Sequence, residues 1–418
     1  MKLFFHHKLF RAVTIARMLN LFGSYIYNVV FVIYAASMQD APMYIFLANI
    51  TTVIPMFFTF WIGIQADQTK NKGLWMIRTG YLQAIIFTGI AFLIRDKNFL
   101  VFSLVCLGNI LSDILGSYVG GLRMPILQKN LQEDELFTAF SFSQFILYIC
   151  SIGGQAFGVW LLTMSNYDYA LVAILNGVTF ALSSLIYWRH KHLLTHDKPD
   201  ESSTENIGLI AQLRKVWKVL QTIFKEKEQE SFKAILSIVL LSNMLGASLT
   251  PIFNFHLLNH SFWNLTYGQS LLLIELICVG GAVLGSLYTS DFLANYSLLR
   301  LLKIDCLFLI GLGATYLFNI STTASLICLF LTSYLAGKIG PKLDSLLMAG
   351  LPTELLAQSD SLISLLFSAA IPIGTVLFSS LASNNIHLTW LTFTVIGSLG
   401  YTGLIYFAKD ESSQVIKK

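Results

Sequence analysis

The chain has 418 residues, of which 55% are hydrophobic and only 12% charged, with a formal net charge of +4 and a mean hydropathy of +0.67. Soluble domains carry about 25% charged residues, so this composition excludes a water-soluble fold and points to a bilayer.

The first residues, MKLFFHHKLFRAVTIARMLN, are basic and run into an apolar stretch without a small-residue cleavage site, which predicts an uncleaved first span. Apolar stretches then begin near Val13, Met43, Leu74, Phe99, Phe137 and Ala170. A charged segment, roughly Arg189 to Ser231, interrupts them, and further stretches begin near Ala234, Tyr267, Leu298, Thr322, Asp360 and Leu388. Each is about 20 residues long, enough for a helix rising about 1.5 Å per residue to cross a core about 30 Å thick. The expectation is an all-α protein with twelve transmembrane helices: a six-helix bundle over 1–188, a cytoplasmic linker over 189–232, a second six-helix bundle over 233–408 and a tail over 409–418. Within the linker, His190 to Asn206 is polar. Ile210, Leu213, Trp217, Leu220 and Phe224 then recur at helical spacing opposite Arg214, Lys215 and Lys218, which predicts an amphipathic helix on the anionic inner leaflet.

With the N-terminus inside, 25 of the 27 Lys and Arg residues fall on the cytoplasmic side, leaving only Arg95 and Lys97 outside. That asymmetry is what the positive-inside rule requires, and it places both termini in the cytoplasm. The halves also echo each other. Asn20-Leu-Phe-Gly23 matches Asn243-Met-Leu-Gly246, Asp67 matches Asp291, Glu135-Leu136 matches Glu354-Leu355, and Leu185-Ile-Tyr-Trp188 matches Leu404-Ile-Tyr-Phe407, at offsets of 223, 224, 219 and 219. A six-span unit returns the chain to its starting side, so the two copies are parallel repeats.

After the second span comes GIQADQTKNK. It resembles the G-x-x-x-D-R-x-G-R-R loop of the major facilitator superfamily, with Gly63 and Asp67 matching, Lys72 filling one basic position, and Gln68, Lys70 and Asn71 departing. The stretch from Arg123 through RMPILQKNLQEDEL and FTAFSFSQFILYICSIGGQAFG, with NGVTFALSSLIYW, is similar to macrolide-efflux-type facilitators, which are drug:proton antiporters. The drug-antiport glycine motif is reduced to Gly153-Gly154-Gln-Ala-Phe-Gly158. The resemblance implies a bacterial multi-pass protein of the plasma membrane, acting as a monomer by alternating access and driven by a proton gradient without a cofactor. It also implies a cytoplasmic gate built from Gly63, Asp67, Lys70, Lys72 and Arg123, with Asp67 at the N-terminal end of the eleventh span near Ser359 and Asp360, or paired with Arg123.

Two acids interrupt spans: Asp113 in NILSDILG and Glu275 in LLLIELIC. A central acid costs about 2.5–3.5 kcal/mol on insertion scales, so both are candidates for proton coupling. Asp305, Lys338, Lys342 and Asp344 read as local pairs and snorkelling side chains at the inner surface. Tyr25, Tyr27, Asn28 and Phe31 of the first span, with Asn243, Phe253 and Asn254 of the seventh, are candidates for lining a cavity for a bulky amphiphile. Cys106, Cys150, Cys278, Cys306 and Cys328 all lie in apolar stretches without metal spacing, and the H-x-H-x-x-x-H of His190, His192 and His196 has no acidic or thiol partners, so no metal site is expected. No HExxH, GxSxG or nucleotide-binding G-x-x-x-x-G-K-[ST] motif occurs, which argues against an enzyme and a nucleotide-driven pump. The expected partners are the bilayer and a small-molecule substrate, not nucleic acid. The reading is proton-coupled efflux of a small amphiphile; uptake, flipping of a lipid-linked substrate and a non-transporting sensor are the alternatives.

Overall fold

A computed structural model describes residues 2–195, 214, 217–218, 220–222, 224–225, 232–288, 291–293, 295–350 and 366–415. The helices are α1 (Lys2–His6), α2 (Lys8–Ala36), α3 (Ala41–Gln68), α4 (Lys72–Leu93), α5 (Phe99–Asn130), α6 (Glu133–Met164), α7 (Tyr169–Arg189), α8 (Phe232–Asn259), α9 (Tyr267–Leu287), α10 (Leu298–Leu317), α11 (Thr322–Gly350), α12 (Ala370–Asn384) and α13 (Ile386–Val415). Short polar residues start several of them by accepting bonds from otherwise unpaired first-turn amides. Asn98 accepts from the Val101 amide at 2.9 Å to begin α5, Asp168 caps α7 through the amides of Ala170 and Leu171, and Ser297 caps α10. Glu135, one member of the repeated Glu-Leu pair, accepts from the Gln132 amide at 3.0 Å and completes a capping box for α6.

Ten of the described helices are long and apolar enough to cross a membrane. Of the others, α10 has the length but carries Arg300, Lys303 and Asp305 in its first turns. Each predicted span thus has a helix among the described residues, and the fold is an all-α multi-pass membrane fold.

The chain divides into two units. The first is Met1–Ser203 with Asn264–Leu272; the second is Thr204–Trp263 with Leu273–Lys418. In the first, α2 packs on α6 and α7, α4 on α7, and α3 on α5. In the second, α8 packs on α12 and α13, and α10 on α13. These are the same pairings six helices on.

The first unit's core is aromatic. Tyr27 stands edge-on to Phe87 at 4.7 Å, Phe31 stacks on Phe102 at 5.7 Å, and Phe87 stacks on Phe180 at 5.6 Å. Glycines set the closest approach of α2 and α6. A Cβ at Gly158 would meet the Ile26 carbonyl oxygen at 2.8 Å, and one at Gly154 the Phe22 carbonyl oxygen at 3.0 Å. Small residues at such contacts are how membrane helices gain packing without a hydrophobic drive.

The described part of the linker stripe departs from the leaflet-bound expectation. Leu220 and Phe224 are fully buried in a cluster with Phe232, Ile235, Leu299 and Phe367, and Trp217 meets Phe232 edge-on at 5.0 Å. Its apolar side covers the second unit, while Arg214 and Lys218 stay exposed. Ile210, Leu213, Lys215, His196, Glu354, Leu355, Ser359 and Asp360 lie outside the described residues, as do the side chains of Asp67, Asp344 and 404–407.

Candidate functional site

A cavity of about 470 Å³ lies inside the first unit. On α2, Arg17, Asn20, Leu21 and Ser24 line it at i, i+3, i+4 and i+7, so one face of a single helix turns toward it. On α5, Asp113, Gly116, Ser117, Gly120 and Arg123 do the same. Pro55 and Thr52 of α3, Gln83 of α4 and Tyr187 of α7 close it.

Each polar wall residue has a local cause. Gln83 is buried to 1% exposure, and its amide donates to the Ser112 carbonyl at 2.9 Å and to its hydroxyl at 3.1 Å. That link ties α4 to α5 beside Asp113, whose side chain is exposed to the cavity. Asp113 lies 14 residues from one end of α5 and 17 from the other, about mid-helix. Arg123 is ten residues further on, about 15 Å along the helix at about 1.5 Å per residue. Its Nε is buried without a partner, as is the Oδ1 of Asn20. Tyr187 lies within electrostatic reach of both Arg17 and Arg123, and the two guanidinium groups repel each other. Charged groups deep in a membrane bundle are costly unless water, a partner or a solute meets them. A Cβ at Gly120 would meet nothing within 4 Å, so the cavity wall, not packing, keeps that position small.

The other expected site residues fall elsewhere. Tyr27 (1% exposed) and Phe31 (4%) belong to the aromatic core, and Phe253 packs among Tyr316 and Trp390. Asn254 is buried; Asn243 donates to the Phe367 carbonyl at 2.8 Å; Tyr25 is half-buried beside Gly154; Asn28 is exposed. None of the seven lines the cavity described above. Glu275 is half-buried on α9, in the second unit, away from Asp113 in sequence and unit alike.

Of the expected gate residues, Gly63 sits within α3 with open space around it, and Lys70 is exposed. Lys72 is 2% exposed and donates to the Ala66 carbonyl at 2.5 Å, a cation on the C-terminal end of α3. Arg123 is not in a loop but inside α5.

The repeat partner of Asp67 is firmly held. Asp291 pairs with Lys338 at 3.0 Å, accepts from the Tyr334 hydroxyl at 2.5 Å and from the Leu293 amide at 3.2 Å. Burial pushes its carboxyl up, but the bonds from Tyr334 and Lys338 and the Lys338 charge outweigh that and hold it below the usual carboxylate range. Lys338 therefore joins a defined network and does not merely snorkel, and Lys342 donates to the Tyr296 carbonyl. Asp305 is likewise not a surface residue: it is 3% exposed, it accepts from Ser242 of α8, and its Oδ1 has no partner. Among the described residues no cluster of three metal-ligating side chains occurs.

Sequence reasoning missed Arg17, Asn20, Gln83 and Ser112 as cavity residues. For Arg17 and Asn20 the signal was the polar i, i+3, i+7 stripe of Arg17, Asn20 and Ser24 in the first span, where Arg17 read as an inner-end anchor; Gln83 and Ser112 stand singly in apolar spans and carried no such signal.

No known family model matches the chain, and no curated protein does. Solved structures match along nearly its whole length. A nucleoside transporter, NupG, is 14% identical with a TM-score of 0.65, covering 96% of this chain and 98% of that one. A bacterial homologue of the iron transporter ferroportin in its inward-facing state is 12% identical with a TM-score of 0.67, covering 96% and 98%. A peptide transporter, POT, in complex with sulfate is 13% identical with a TM-score of 0.64, covering 97% and 94%. The chain has a major-facilitator-like fold.

Proposed function

We propose that the protein is a secondary active transporter working by alternating access, and that the cavity of the first unit belongs to its solute path. The observation that carries this reading is a void of about 470 Å³ within a membrane bundle, walled by Arg17, Arg123, Asp113, Asn20 and Gln83. Gln83 also ties α4 to α5, but the buried Nε of Arg123 has no protein partner, and a membrane protein retains such charged groups for a permeating solute or ion. The wall carries two guanidinium groups, a carboxylate and two amides among apolar side chains such as Met56, Val119 and Phe180, where the expected amphiphile pocket held aromatics and amides. It suits a small hydrophilic solute better than a macrolide-like drug. The nucleoside and peptide transporters among the structural neighbours support the same class, with uptake ahead of drug efflux.

Asp113, at mid-helix and open to the cavity, is the group placed to exchange a proton with a passing solute. Proteoliposomes carrying a pH dye and screened with nucleosides and short peptides test this. Solute-induced proton movement is expected in the wild type. Asp113→Asn should lower it at least about tenfold, the equivalent of ~1.4 kcal/mol, with an unchanged melting temperature. Undiminished proton-coupled flux in that variant would remove Asp113 from the mechanism. Glu275→Gln run alongside tests the second acid.

Efflux of an amphiphile is the second reading, supported by the resemblance over residues 120–190. It predicts flux of lipophilic cations and none of nucleosides or peptides. A sensor on this scaffold would move nothing.

A further inference from the structure

We infer that Arg17 and Arg123 form an oxyanion subsite, which takes the carboxylate or phosphate group of the solute. This deepens the transporter reading above and rests on it. Two guanidinium groups, one from α2 and one from α5, line the same cavity. The one carboxylate among the described lining residues, Asp113, is ten residues from Arg123, about 15 Å along α5, far beyond ion-pair distance. The described lining thus carries two cations to one acid. The cations repel each other, and the Nε of Arg123 is buried with no acceptor.

A lysine in either place would suffice for a membrane anchor. Guanidinium is the group whose fork of N–H donors matches the paired oxygens of a carboxylate or phosphate, and it stays charged when enclosed. Asn20, on the α2 face between Arg17 and Ser24, brings a carboxamide whose NH2 is a further donor for an oxyanion. A bound oxyanion would relieve the repulsion and satisfy the orphaned donor at once. Neither Arg123 as a loop cation nor Arg17 as an inner anchor explains why both turn into one void.

The test uses the full-length protein in nanodiscs of phosphatidylcholine alone, titrated with inorganic phosphate or acetate at an ionic strength held constant with chloride. Its melting temperature is followed. Either anion should raise it saturably in the wild type. The half-effect concentration should rise at least about tenfold in Arg123→Gln and in Arg17→Gln, and less in Arg123→Lys, which keeps the charge but loses the fork. Should one Gln variant fail to fold, the other and Arg123→Lys carry the comparison. No saturable shift in the wild type, or equal half-effect concentrations in wild type and variants, overturns the subsite. A further arm replaces part of the lipid with phosphatidylglycerol; stabilisation by that lipid and by neither free anion shows a headgroup site and overturns solute recognition. Flux reports separately. Transport with the same KM for an anionic solute in wild type and Arg123→Gln sinks the subsite and spares the transporter. Saturable phosphate binding without any flux does the reverse.

Discussion

Asp291 shows how one carboxylate is fixed by its neighbours. Its pKa is lowered in the folded protein, so the network with Lys338 and Tyr334 contributes stability above the unfolded value, about 3.9, and loses it as pH falls through the folded value. Asp291→Asn should therefore melt below the wild type at pH 6, with the gap closing as pH drops below about 3.9. A gap that is constant from pH 6 to pH 3 would show that the charge contributes nothing. The repeat had already singled out Asp291 as the counterpart of Asp67, because residue identity at a fixed offset survives in one dimension. Asp305 was illegible for the opposite reason. Whether an acid near Arg300 and Lys303 faces those cations or Ser242 on another helix depends on helix rotation, which local sequence leaves open.

At the scale of the helix, two glycines of the first unit have opposite work. Gly158 lets α6 approach the α2 backbone; Gly120 faces open space. Gly158→Leu forces the contact apart and should cost about 1–3 kcal/mol, read as a lowered melting temperature in detergent. Gly120→Leu should leave the melting temperature nearly unchanged and instead fill the cavity, abolishing flux. The reverse pattern would exchange the two assignments. Helix positions were the most legible feature, since an apolar run near 20 residues admits little else in a bilayer. The lining faces were not. Outside the Arg17, Asn20 and Ser24 stripe of the first span, the spans are apolar nearly all round, so periodicity is too faint to say which side meets a cavity; Tyr27 and Phe31, expected at one, pack in the core. In the described part of the linker stripe, Leu220 and Phe224 pack on Phe232 and Leu299 rather than on lipid, because which surface an apolar stripe covers is not written in its own periodicity.

For the molecule as a whole, the repeat is visible in the shared pairings, α2 on α6 like α8 on α12, and α4 on α7 like α10 on α13. The copies have diverged in detail. Gly23 is pressed against Asn176, whereas its repeat partner Gly246 has nothing within 4 Å. No arginine stands at the place in α8 that matches Arg17: position 240, three residues before Asn243, is a leucine. Architecture is thus shared by both halves, while their charged groups differ: Arg17, Asp113 and Arg123 in the first, Asp305 and the Asp291–Lys338 pair in the second.

The spacing of Asp113 and Arg123 along α5 has an electrical consequence. A solute anion held at the arginines and a proton held at Asp113 carry opposite charges on the same helix. Moving both in the same direction transfers no net charge, so uptake by symport should be indifferent to voltage. Exchanging an outgoing anion for an incoming proton moves two charges, worth about 4.6 kcal/mol per 100 mV. Flux measured in proteoliposomes clamped with valinomycin at 0 and about −100 mV therefore reports the direction of transport: a flat response marks import, and a steep one marks export.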